Sequence, residues 1–251
     1  MKKVIWICPV NDGEAVEIRN LLGDAGETFI VTRQPWGATW QALETAVVTA
    51  VEVLLAQDPH TEVVGIELGG STRWNGRNID HHNYKGDDRS NPKSSLEQVA
   101  NEVGVTLNRH QTLVAINDVG YIPAMEAFGA TPGEIEVVRQ QDRCAQNVTP
   151  DDEAQAVEDI ENAEWRGRKV LIRCSKGGTS AHTDRLYRRY DECLTVAPAK
   201  WIYFGRKARA LDALNLPEQH WCGGDPKNGY FGIIAPSEMS QAVILKKFWE
   251  E

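Results

Sequence analysis

G-R-N-I-D-H-H-N-Y, residues 76–84, sets an aspartate and two adjacent histidines behind a short strand-like run, in a chain with six histidines. If Asn78 to Asp80 ends a strand, the polar triplet stands at a carboxyl edge, where open α/β sheets carry their ligands. From these three residues alone a metal site, a phosphate contact and a buried polar knot are all open readings.

The residues upstream favour the edge. Val4 to Cys8 is an apolar run ending at Pro9 and reads as a buried strand. A helix over 13–23, a strand over 28–32 and a helix from about Thr39 follow. Trp40, Leu43, Ala46, Val47, Ala50, Val51 and Leu54 recur at three- and four-residue spacing, which gives that helix one buried stripe. Glu62 to Ile66 is a third strand. Strands alternating with helices predict a parallel sheet with covered faces.

That sheet would deliver polar groups from several strands to one rim: Asp12, Glu67 and the Asp80-His81-His82 triplet. Carboxylates with imidazoles suit Mn²⁺, Mg²⁺, Fe²⁺ or Zn²⁺ better than a thiolate-seeking metal. Two neighbouring histidines do not easily share one ion, so one is expected to bind metal and the other to meet substrate.

Further along, Ser94 with Glu97 and Thr131-Pro132 with Glu134 have capping-box spacing. A helix is expected from about Arg109. An acid-rich helix from Thr149-Pro150 runs to about Trp165, where the domain boundary is placed. Lys169 to Cys174, 193–196 and 201–204 read as strands. The segment W-C-G-G-D-P-K-N-G-Y-F-G, 221–232, reads as a loop before a last strand and a helix begun by Ser237.

The bulk composition narrows the partners. A formal charge of −9 over 251 residues argues against a binder of long nucleic acid, which needs many unopposed cations. The longest apolar run is short and carries Glu52, so no membrane span is expected. Five scattered cysteines without a C-x-x-C pair argue for a reduced, cytoplasmic protein rather than a disulfide scaffold.

I-D-H-H at 79–82, with Asp118 in A-I-N-D-V-G, resembles the DHH-family phosphoesterases. These include RecJ-type exonucleases, nanoRNases, cyclic-dinucleotide phosphodiesterases and, more distantly, manganese pyrophosphatases. The resemblance implies a parallel-sheet DHH-type domain, 1–166, and a smaller α/β DHH-associated-like domain, 167–251. It also implies a metal held by Asp12, Glu67, His81 and Asp118, Mn²⁺ or else Mg²⁺, with His82 and Asp80 as catalytic residues. The first motif departs from the family's H-x-D-x-D-G: C-P-V-N-D-G puts Cys8 and Val10 where two ligands are expected. A one-metal version of a two-metal site is the result.

Two glycine-bearing loops could meet substrate in the second domain. R-C-S-K-G-G-T-S, 173–180, offers Lys176, Gly177, Gly178, Thr179 and Ser180 as a phosphate cradle. G-G-D-P-K-N-G-Y-F-G, 223–232, offers Gly223, Gly224 and Lys227, with Asp225 where the family's glycine motif has histidine. The expected activity is hydrolysis of a small phosphorylated substrate or short nucleotide by metal-activated water. The competing expectation is a non-catalytic regulatory relative that binds a nucleotide or metal. Either is compatible with a homo-oligomer.

Overall fold

The computed structural model describes residues 3–34, 37–82, 92–175, 179–224, 227 and 229–250. The chain divides into Met1–Asn147 and Val148–Glu251.

The first unit holds β1 (Val4–Cys8), α1 (Gly13–Asp24), β2 (Thr28–Val31), α2 (Thr45–Gln57), β3 (Glu62–Ile66) and β4 (Arg77–Ile79). After these come α3 (Ser95–Val103), α4 (Arg109–Ala127) and α5 (Pro132–Ala145). The four strands form one sheet in the order β2-β1-β3-β4, every pair parallel. Successive strand side chains point to opposite faces, and Ile5, Trp6, Ile7 and Cys8 are all buried, so both faces are covered. Ile5, Ile7 and Val63 share one core with Trp40, Val47 and Val51. α1 packs against α3, α4 and α5.

The apolar stripe from Trp40 is interrupted. Trp40–Ala42 is a 3-10 turn capped by Thr39, and α2 starts only at Thr45, not at Thr39 as periodicity suggests. The Glu44 side chain is engaged outside the helix, accepting from Thr32 Oγ1 and Arg33 N at 2.7 Å each. α4 breaks at Tyr121 (φ 58°, ψ −157°), two residues before Pro123, whose missing N–H and ring do not suit a continuous helix.

The second unit holds α6 (Pro150–Glu161), β5 (Glu164–Arg166), β6 (Lys169–Arg173), α7 (Ser180–Arg185) and β7 (Glu192–Val196). It continues with β8 (Lys200–Gly205), α8 (Ala208–Asp212), β9 (His220–Gly223), β10 (Gly229–Ile234) and α9 (Glu238–Trp249). Its sheet runs β5-β6-β7-β8-β10-β9, with only β6 and β7 parallel. Leu171, Leu194, Tyr203 and Phe231 meet Ile244 and Phe248 of α9 in one core. Val170, Ile172, Cys174 and Cys193 form another.

The two compact units part at 147/148, since α6 packs on β6 and α7, and β5 pairs with β6. Two expectations need correcting here. The acid-rich helix ends at Glu161, and Trp165 lies in β5. The segment expected as a loop, 221–232, instead supplies paired strands at both ends, in β9 and β10: Trp221 pairs with Gly232, whose added Cβ would lie 2.1 Å from the Trp221 ring.

Candidate functional site

The site gathers at the carboxyl ends of β1, β3 and β4, with α4 supplying one more group. Glu67 follows β3 in a left-handed conformation (φ 50°), uncommon for a residue with a Cβ, and its N–H donates to Ile79 O at 2.8 Å. That pairing sets Glu67 beside the triplet following β4. Strain of this kind costs about 1–3 kcal/mol and persists where surrounding structure enforces it.

His81 is fully buried, and its Nε2 stands 2.8 Å from Asp118 Oδ2. The approach is close, yet among the described residues His81 Nε2 has no hydrogen-bond partner of acceptable geometry. Around the other ring nitrogen, Nδ1, lie Ser95 N at 3.2 Å, Ser95 Oγ at 3.4 Å, Glu67 Oε1 at 3.4 Å and Glu14 Oε2 at 4.0 Å. His82 Nδ1 is 3.2 Å from Asp80 Oδ1 and 3.5 Å from Glu67 Oε1. Asp80 also accepts the His82 backbone N–H at 2.7 Å, so the triplet folds into a tight turn.

Carboxylates crowd this space. Burial first, and the Asp118 charge second, push Glu67 up to about 8 and Asp12 up to about 7. Glu14 is driven well above the usual carboxylate range by burial, then by Asp118 and Glu67. For His82 burial is the largest influence and opposes protonation; the Asp80 hydrogen bond with the Glu67, Asp118 and Asp80 charges outweighs it, and its pKa rises. Without a cation the cluster must hold protons to relieve its own repulsion.

One donor each from Glu67, His81, His82 and Asp118 lies within 4.8 Å of all the others. Two donors at 2.0–2.2 Å from one ion stand at most about 4.4 Å apart. The group is therefore compact enough for side-chain adjustment to close it on a divalent cation. Two carboxylates and two imidazoles suit such an ion, and the orphaned His81 nitrogen points at a co-ligand. The donor set fits a metal.

The group differs from the expected ligand set in one member. Asp12 stands outside it and His82 within it; Asp12 Oδ1 accepts from Ala15 N at 2.7 Å and caps α1. Two residues missed by sequence reasoning support the ligands from behind. Ser95 Oγ donates to Glu67 Oε1 at 2.8 Å, and Glu14 Oε1 accepts Leu96 N at 2.9 Å. Ser95 carried no signal beyond following the capping serine. Glu14 reads as an ordinary acid in a first helical turn.

Cys8 is buried, and burial pushes its thiol up to about 12, so it is neutral. Val10 offers no donor.

In the second unit, Thr179 precedes α7 without a side-chain cap, and Ser180 is the first residue of that helix. Lys176, Gly177 and Gly178 lie outside the described residues. Gly223 ends β9, where an added Cβ would lie 2.3 Å from Tyr230 Oη. Gly224 has φ +79°, a turn conformation that glycine permits. Lys227 lies between β9 and β10.

The chain has a DHH-type fold. Its structure is similar to the DHH domain of a member of a ribosomal protein family, at TM-score 0.56 and 12% identity over 98% of this chain and 85% of that one. A pGpG-specific phosphodiesterase, PggH, from Vibrio cholerae matches at TM-score 0.48 and 10% identity, with 98% of each chain covered. Exonuclease RecJ bound to manganese matches at TM-score 0.41 and 11% identity, covering 98% of this chain and 89% of that one. No protein-family model and no curated protein matches the sequence. Among the described residues no helix is long and apolar enough to cross a membrane.

Proposed function

We propose that this chain is a metal-dependent phosphoesterase acting on a small phosphorylated molecule such as a short nucleotide. One observation carries the reading: Glu67, His81 and His82 at strand ends and Asp118 on α4 bring donor atoms within 4.8 Å of one another in a DHH-type fold. A divalent cation there, Mn²⁺ or Mg²⁺, supplies Lewis acidity toward a phosphoryl oxygen and toward water.

The chain's own groups divide the remaining work. Glu67, His81 and Asp118 would hold the ion, with Ser95 fixing Glu67 and meeting His81 Nδ1 from behind. Asp80 orients His82 through its 3.2 Å contact with Nδ1. Held in this way, His82 can hydrogen-bond phosphoryl oxygens or hand a proton to the leaving oxygen. A formal charge of −9 favours a small substrate over long nucleic acid. Five cysteines, all free, suit a reducing cytoplasm.

A second reading, a binding module without turnover, is favoured by Cys8 and Val10. A neutral thiol and an isopropyl group stand where a second ion's ligands would be, and a single ion lacks the clamp that two ions form. Purified protein assayed for metal content and for Mn²⁺-dependent hydrolysis of bis(p-nitrophenyl) phosphate and a panel of short oligonucleotides separates the two. Turnover that is lost in His82→Ala, with metal retained, supports the esterase. Bound metal with no turnover anywhere in the panel supports the binding module.

A further inference from the structure

A different convergence lies within the second unit. α6 supplies Asp159 in its last turn, Cys174 follows the end of β6, and α7 supplies His182. All three are buried, at 7%, 4% and 3% exposure. One donor atom from each lies within 4.8 Å of the other two.

Each member is held in place. Asp159 Oδ2 is 3.0 Å from His182 Nε2, and Oδ1 accepts Ser175 Oγ at 2.8 Å and Gln155 Nε2 at 3.2 Å. Cys174 N–H donates to Val196 O at 2.8 Å, so the residue's backbone is fixed to the end of β7. The thiol's own contact, 3.9 Å to Ile172 O, is weak. Among the described residues the carboxylate meets hydroxyl, amide and imidazole but no Lys or Arg, so its buried charge has no fixed cationic neighbour.

A nucleophilic Cys-His-Asp arrangement does not suit this place. Burial, then the Asp159 charge, push the Cys174 thiol up to about 12, and a neutral thiol is a poor nucleophile. A plain His-Asp strut would need no sulfur beside it. Thiolate, imidazole and carboxylate together are a zinc ligand set, and three protein ligands leave a fourth position for water. Two nitrogen or oxygen donors at a tetrahedral angle about one ion stand about 3.4 Å apart. The Asp159–His182 pair therefore has to open by only a few tenths of an ångström.

We propose that Asp159, Cys174 and His182 form a three-ligand zinc site that ties α6, β6 and α7 together. On binding Zn²⁺ from solution, Cys174 loses its thiol proton to solvent and a sulfur–zinc bond forms. His182 Nε2, the donor to Asp159 Oδ2, gives its proton up to solvent while Nδ1 carries the ring's remaining proton; Nε2 and Oδ2 then bond the ion, and Ser175 keeps the second carboxylate oxygen oriented.

The test is a Co²⁺ titration of the full chain, reduced and under anaerobic conditions, followed by absorbance. A thiolate-to-cobalt charge-transfer band in the near ultraviolet, saturating at one equivalent, is expected. The Glu67/His81/His82/Asp118 group has no sulfur and cannot give it. Cys174→Ser should abolish the band, and Asp159→Asn should weaken Co²⁺ binding by at least about tenfold. Absence of the band in the wild type, or a band unchanged in Cys174→Ser, would overturn the site. If Cys174→Ser does not fold, Asp159→Asn decides: an unchanged Co²⁺ affinity there rejects the proposal.

Discussion

Asp142 accepts the backbone N–H of Gly13 at 3.0 Å, joining α5 to the first residue of α1 across 129 positions of sequence. The contact is tight, since a Cβ added at Gly13 would lie 3.2 Å from Asp142 Cα. The other Asp142 oxygen takes Arg139 Nη1 at 2.8 Å and Gln146 Nε2 at 2.9 Å. Arg139 in turn bonds Asn117 Oδ1 at 3.1 Å and lies 4.7 Å over the ring of Tyr121, where α4 breaks. One network thus holds both the start of α1, behind Asp12, and the stretch of α4 that carries Asp118.

Asp142→Ala should therefore be costly out of proportion to its size. It leaves the buried Gly13 N–H without its carboxylate and removes an ion-pair partner of Arg139, which is 6% exposed. Breaking one side of a buried pair costs about 3–5 kcal/mol; Asn117 and Tyr121 still hold Arg139, so about 3 kcal/mol is expected. Asp142→Asn, which keeps an acceptor for Gly13, should lose less. Urea unfolding checks both, and equal midpoints for Asp142→Ala and wild type would show that the network carries no weight.

Ser95→Ala isolates support of the proposed metal ligands from the ligands themselves. The hydroxyl is buried and donates to Glu67 Oε1, while the backbone N–H that meets His81 survives the change. Loss of an outer partner lowers metal affinity about 10–100-fold. Calorimetric titration with Mn²⁺ should show that drop, with global stability lower by only about 1 kcal/mol. An unaltered Mn²⁺ affinity would mean that Glu67 needs no such support, or binds no ion.

Gly65→Ala tests the floor beneath Glu67. Gly65 pairs with Ile7 on one side and Asn78 on the other, and an added Cβ would come within 2.4 Å of Trp40 Cζ2 and 2.9 Å of Leu68 Cδ1. Trp40 is fully buried and cannot yield toward solvent. Overpacking of this order costs about 1–3 kcal/mol, and thermal unfolding should register it. The same melting temperature as wild type would mean that Trp40 has another rotamer to adopt.

What was legible in the sequence divides along physical lines. Ser94 with Glu97 and Thr131 with Glu134 could be read directly, because a capping box needs two side chains at a fixed spacing and nothing distant. The parallel sheet was legible because both faces of β1 and β3 are buried and the strands read as unbroken apolar runs. The Glu67 and His81 placement followed from strand ends. Asp12 shows the limit: an acid after a strand and before a helix reads equally as ligand or cap, and its bond to Ala15 N shows the cap. Glu14 and Asp142 were invisible, since their roles depend on α3 and α5 folding back over α1. The Asp159–Cys174–His182 group escaped for the same reason: its members come from separate segments with no motif spacing.

The attachment of α9 should depend on pH through Glu218. Ser237, by side chain and by backbone N–H, holds this carboxylate down to about 2 from its ordinary 4.5, with Ser240 adding to the effect. Oε1 accepts Ser237 N at 2.8 Å and Ser240 Oγ at 2.9 Å, which moors the first turn of the helix that buries Ile244 and Phe248. A depressed acid favours the fold above its unfolded value and loses that contribution as pH falls. The benefit is therefore complete above 4.5 and disappears as the solution approaches 2. Glu218→Gln should lower the melting temperature at neutral pH, with the difference from wild type shrinking steadily below pH 4.5. Amide exchange in the first turn of α9 should quicken over the same window in the wild type. A melting difference that stays constant from neutral pH down to acid would assign the effect to lost packing and not to the charge.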